Sequence, residues 1–178
     1  MRVGLAWLPA LILLGSCADP HRVRGAGSGS TAQSSGDLRV MLLLTDDLEE
    51  LQQRWAEPGS PTFDPINAAR MGDTVSAVLI FTGCAADSTG HCRLVADFTI
   101  TDPRGSEFKS ELERPVCFGR PPPPPGQLQL AEEAPSVTVT HGPHGAYTVS
   151  VTVRDRVSGN SLDLATSFLL EPETELIR

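Results

Sequence analysis

The stretch that decides the fold is "AYTVSVTVRDRVSGNSLDLATSFLL", residues 146–170. Tyr147, Val149, Val151 and Val153 fall on every second position, with Thr148, Ser150 and Thr152 between them. An extended chain sends successive side chains to opposite faces, so a period of two sorts an apolar row from a polar one. Leu162, Leu164, Phe168 and Leu170 share a face in the second half. Between the halves, "RVSGN" puts Gly159 and Asn160 where a positive φ costs little. Two alternating runs joined by such a turn read as a β-hairpin.

Working outward, the period of two holds back to Thr74. Val75, Ala77, Leu79 and Phe81 share a face in "TVSAVLIF". In "RLVADFTI", Leu94, Ala96, Phe98 and Ile100 oppose Arg93, Val95, Asp97 and Thr99. "DPRG", 102–105, has Pro at the second position and Gly at the fourth, as a type I turn prefers. Residues 106–112 read as a polar edge strand, 116–118 as a shorter apolar piece, and "SVTVT" as a strand alternating through Val137 and Val139. "PPPPPG", 121–126, lacks donors for a ladder and tends to polyproline II. It reads as a stiff crossover between two sheets, with a docking ligand for an aromatic groove as the alternative. Upstream, "LRVMLLL" at 38–44 has the length of a buried strand. A short helix is expected near 47–55: Thr45, Asp46 or Asp47 caps it, and Leu48, Leu51 and Trp55 share a face. The Pro-rich 56–73 is an irregular connection with room for an edge strand near Phe63. Polar outward faces predict two sheets, each wet on one side.

The segment Gly145 to Pro172 resembles the closing strand pair of bacterial immunoglobulin-like β-sandwich domains, in Gly145, Tyr147, the alternating valines, Asp155 and a last strand ending in Phe168. Gly72 to Pro172 as a whole resembles uncharacterised bacterial lipoproteins with one such domain. The resemblance implies an all-β, immunoglobulin-like antiparallel sandwich of about seven to eight strands spanning 37–172. It also implies a corner role for Tyr147, with its hydroxyl bonded to nearby backbone; an ordinary core tyrosine is the alternative. No catalytic motif comes with it, and the architecture hosts many functions.

The N-terminus reads as processing signal. Arg2 precedes an apolar run, Leu5 to Leu14, too short to cross a bilayer as a permanent helix. "LGSC", 14–17, resembles the lipobox of bacterial lipoproteins, which makes Cys17 the lipidated mature N-terminus. "SCA", 16–18, offers the alternative of ordinary cleavage before Asp19 and a secreted or soluble periplasmic product. In the first reading, Ala18 and Asp19 favour the outer membrane. Residues 18–36 are rich in Gly and Ser and read as a flexible tether spanning ~25 Å; 173–178 is a tail. Without residues 1–17, the chain carries 13 basic against 22 acidic side chains, a net charge of −9. Such a balance repels phosphate backbones and argues against nucleic acid.

Three cysteines remain: Cys84, Cys92 and Cys117. "CAADSTGHC" closes a short polar loop between two strands, so Cys84 and Cys92 are expected to pair in an oxidising compartment. Cys117 is left over and reads as a small buried apolar residue.

Chemistry-bearing patterns are few. His141 and His144 in "HGPHG" could hold Zn²⁺ or Cu²⁺ if His91 or Asp87 came to the same end of the sandwich. Two solvated turn residues are the plainer reading. Asp46, Asp47, Glu49 and Glu50 sit in a capping pattern rather than as a catalytic pair or a Ca²⁺ site. No G-x-S-x-G, H-E-x-x-H or phosphate-cradling loop is written in the chain. The expectation is a non-catalytic envelope lipoprotein without a cofactor, facing the periplasm and binding or supporting another envelope protein. The alternative is a periplasmic protein that binds metal or a small ligand through its loop histidines.

Overall fold

The computed structural model describes residues 29–58 and 62–172. Ten strands and one helix follow in order: β1 Ser30–Ser35, β2 Leu38–Thr45, α1 Leu48–Ala56, β3 Ala68–Ala69, β4 Thr74–Thr82, β5 Arg93–Thr101, β6 Glu107–Phe118, β7 Gln129–Leu130, β8 Ser136–Thr138, β9 Gly145–Asp155 and β10 Ser161–Leu170. They form two sheets. The first runs β1-β2-β4, with β7 and β8 both paired along the far edge of β4; the second runs β3-β10-β9-β5-β6. The architecture is an all-β sandwich.

The period of two does what it predicts. Every inward position read from β4, β5, β9 and β10 enters one core between the sheets, together with Leu38, Val40, Leu42 and Leu44 of β2. The β9–β10 hairpin pairs Tyr147 with Phe168 and Val153 with Leu162, and the Tyr147 and Phe168 rings stack at 5.4 Å. Asp102 to Gly105 closes as a turn, with the Gly105 amide donating to the Asp102 carbonyl at 2.9 Å. The proline run leads from β6 in the second sheet to β7 in the first, as a crossover should.

Five expectations need correction. First, the expected tether, 18–36, overlaps a strand. Ser30–Ser35 is strand β1, paired antiparallel with β2 from Ser30 opposite Leu43 to Ser35 opposite Leu38. Small polar residues have no apolar period, but their backbone groups complete a ladder that a composition rule does not register. Residues 18–28, with Cys17 and the signal segment, lie outside the described residues. Second, Phe63 is not in a strand. It stacks on Trp55 at 5.8 Å between ring centres, and the short strand comes later, at Ala68–Ala69. Third, that strand runs parallel to β10, so the second sheet is mixed rather than antiparallel. Fourth, residues 106–112 and 116–118 are one bulged strand, β6, at the sheet edge. Short β1, β3 and β7 raise the strand number above the expected seven or eight.

Fifth, the first sheet is not wet on one side. Helix α1 lies over its outer face, where Leu43, Val78, Ile80 and Leu51 are buried with Leu48, Trp55 and Phe63 packed against them. This explains why "VMLLL", 40–44, and "AVLIF", 77–81, are apolar without interruption: a strand covered on both faces needs no polar row. The helix forms as its caps dictate. The Asp47 carboxylate accepts the Glu50 amide at 2.8 Å, and Arg54 pairs with Glu50 one turn back at 2.6 Å.

Candidate functional site

Two places on the second sheet hold chemistry that packing alone does not require. The first is the end of the sandwich where β4 crosses to β5. Gly83 turns the chain there with φ +76°, and a Cβ would stand 1.9 Å from the Asp37 carbonyl oxygen. Only glycine fits that approach. Cys84 follows and is bonded to Cys92 as the loop spacing predicts. Asp87 organises the loop between them. Its Oδ1 accepts the Thr89 amide at 2.8 Å, the Thr89 hydroxyl at 2.6 Å and the His91 amide at 3.2 Å; its Oδ2 accepts Arg93 Nε at 2.7 Å. The Thr89 hydroxyl and Arg93, with the two amides, hold the carboxyl well below the usual carboxylate range.

The same end is tied to the β9–β10 turn by Asp155. Its carboxylate, 1% exposed, accepts the amides of Ala85, Val157 and Ser158 at 2.8, 2.9 and 3.3 Å. Cys117 of β6 is fully buried beside the disulfide, and the sulfur atoms of Cys84, Cys92 and Cys117 lie within 4.8 Å of one another. Burial pushes the Cys117 thiol up, and Glu132 adds to this while Arg120 opposes it.

The second place is the edge strand β6. Its pairing with β5 slips between Ala96 and Phe98, so Leu112 and Glu113 stand against Asp97 alone. Glu113 takes φ +57°, a left-handed conformation uncommon for a residue with a Cβ. Its amide donates to Asp97 Oδ1 at 2.8 Å, and its carboxylate meets Arg154 at 2.6 Å and also Arg156. Arg154 donates to Asp97 as well, at 2.7 Å. The bulge turns Leu112 outward, leaving it 66% exposed. Sequence reasoning missed this site because a bulge shifts register without leaving an apolar period. The one local cue is Pro115, which marks β6 as an edge.

The histidine constellation does not assemble. His91 lies beyond Thr82, the C-terminal end of β4, whereas the turn with His141 and His144 follows β8, whose Thr138 pairs with Thr74 at the opposite end of β4. The two loops therefore sit at opposite ends of the sandwich. His141 instead packs at a tilt against Phe108, 5.7 Å between ring centres, and approaches the Thr140 hydroxyl at 3.2 Å. The first-turn acids divide their work: Asp47 caps α1 and Glu50 pairs with Arg54. With Asp46 and Asp64 they border an open polar groove of about 160 Å³ beside the helix.

No protein-family model matches the chain, and no curated protein matches it. Among solved structures, a family 123 glycoside hydrolase from Clostridium perfringens is similar at 11% identity and a TM-score of 0.36, over 74% of this chain and 27% of the hydrolase. The chain thus spans about a quarter of that enzyme's length, and so slight a likeness transfers no activity. Among the described residues, no helix is long and apolar enough to cross a membrane.

Proposed function

We propose that this chain is a non-catalytic cell-envelope lipoprotein whose immunoglobulin-like domain binds another envelope protein through the edge strand β6. The observation that carries this reading is the Leu112–Glu113 bulge. A left-handed residue held by Asp97, Arg154 and Arg156 fixes a large apolar side chain in water. Strain of this kind persists only where its surroundings over-determine it, and it clusters at functional positions. The bulge also interrupts the edge as a template for a foreign strand. The partner therefore docks by side chains, offering an apolar pocket to Leu112 and a polar rim to the charges around it.

The "LGSC" segment supports the anchor. Eleven residues separate Cys17 from Gly29, so a lipid on Cys17 would hold the domain close to the outer membrane, facing the periplasm. The Tyr147 hydroxyl supports the immunoglobulin-like reading: it donates at 3.1 Å to the Pro143 carbonyl, four residues upstream, as a corner tyrosine does.

The test is cross-linking in intact cells from a photoreactive residue replacing Leu112, with Thr152, on β9 of the same sheet, as the comparison position. A single reproducible protein adduct from position 112, lost when Glu113→Val, whose β-branched side chain opposes the left-handed conformation and removes the pairs to Arg154 and Arg156, breaks the bulge, is the expected result. No adduct, or the same adducts from both positions, overturns the docking surface. Incorporation of labelled palmitate that disappears with Cys17→Ser is expected for the anchor, and a chain that takes up no label rejects it.

A further inference from the structure

We infer that the three sulfurs at the end of the sandwich form an intramolecular thiol–disulfide exchange site, in which Cys117 attacks Cys84 and moves the bond from Cys84–Cys92 to Cys84–Cys117. The free thiol of Cys117 and both bonded sulfurs lie within 4.8 Å of one another, inside the core. The exchange needs no external oxidant or reductant. The Cys117 thiol gives up its proton and its sulfur bonds to Cys84 Sγ. The Cys84–Cys92 bond breaks with its electron pair going to Cys92, and the Cys92 thiolate takes up a proton. One disulfide and one thiol are present before and after.

The backbone selects which sulfur is attacked. The Cys92 amide donates to the Arg120 carbonyl at 2.7 Å, and the Cys92 carbonyl accepts the Gly119 amide at 3.1 Å. Cys92 therefore continues the β5–β6 ladder, two positions from Leu94, the residue that faces Cys117. That makes Cys92 and Cys117 diagonal neighbours, with Cα atoms roughly 7–8 Å apart. Bonded cysteines usually stand closer than about 6.8 Å, so joining this pair would disturb the ladder. Cys84 lies in the irregular connection after β4, outside any ladder, so a bond from its sulfur to the nearby Cys117 sulfur distorts no strand pairing. The product ties the end of β4 in one sheet to β6 in the other, where the original bond closes only the short loop from Cys84 to Cys92.

The site is tested on the full chain, purified without reductant and held at mildly alkaline pH. Samples are quenched in acid, unfolded and alkylated, and the labelled cysteine is located by peptide mass mapping. Label should begin on Cys117 and pass in part to Cys92, with a final share independent of protein concentration. Label that stays on Cys117 alone, or a share that rises with concentration, overturns the inference. In a glutathione disulfide buffer, Cys92→Ser should form a Cys84–Cys117 bond, located by peptide mapping. A folded Cys92→Ser chain in which Cys84 and Cys117 both stay as thiols also overturns it. Should that variant not fold, the labelling of the unaltered chain decides alone.

Discussion

Single residues hold the ends of this sandwich together, and two aspartates do so in different ways. Asp155 is buried and gives one carboxylate to three amides from two separate loops. Asp155→Ala would strand those donors, at a cost of about 3 kcal/mol, whereas Asp155→Asn keeps an acceptor and should cost about half as much. Urea unfolding of the two variants against the parent measures both. Asp87 lies nearer solvent, and its hydrogen bonds favour the ionised form. Its folded pKa is depressed, so its contribution to the loop is complete above the unfolded value of about 3.9 and is lost as pH falls further. Protection of the amides in residues 85–91, measured relative to their intrinsic exchange rates, should therefore fall in acid in the parent, while Asp87→Asn, already lacking the charge, should show little change over the same range.

At the scale of elements, helix α1 depends on its cap. Asp47→Ala removes the acceptor for the Glu50 amide and should destabilise the domain by about 1 kcal/mol, read as a shift in the denaturation midpoint. Strand β1 forms one edge of the first sheet. A chain beginning at Asp37 loses the partner of β2 and exposes the Leu38–Leu44 edge, so it should aggregate or melt well below a chain beginning at Gly29; light scattering and thermal melts check this. The contrast also shows what was legible in the sequence. Strands β4, β5, β9 and β10 were, because a burial period of two is written in side chains: Val149, Val151 and Val153 could face only one way. The helix was, because capping is local chemistry. Strands β1, β3 and β7 were not, because their hydrogen bonds go to partners far along the chain and their side chains carry no alternation. The Cys84–Cys92 pair was legible from a short loop, but the approach of Cys117 was not, since β6 brings it there from another part of the chain. The Leu112 bulge was hidden for the same reason: its causes, Asp97, Arg154 and Arg156, lie on other strands or turns.

For the whole molecule, the early strands wait for the last one. Strand β3 finds its only ladder on β10 among the described strands, β1 packs near β10, and the Ser35 hydroxyl meets Asn160 Oδ1 at 3.5 Å across the hairpin turn. Strand β10 therefore completes elements made long before it. A nascent chain emerging from the ribosome lacks the partner of β3 and one flank of β9 until β10 is out, so the second sheet cannot close stepwise. Chains stopped before residue 161 should remain protease-sensitive throughout, and those extended past 172 should become resistant together, within milliseconds to seconds, the pace set by bringing such distant strands into register.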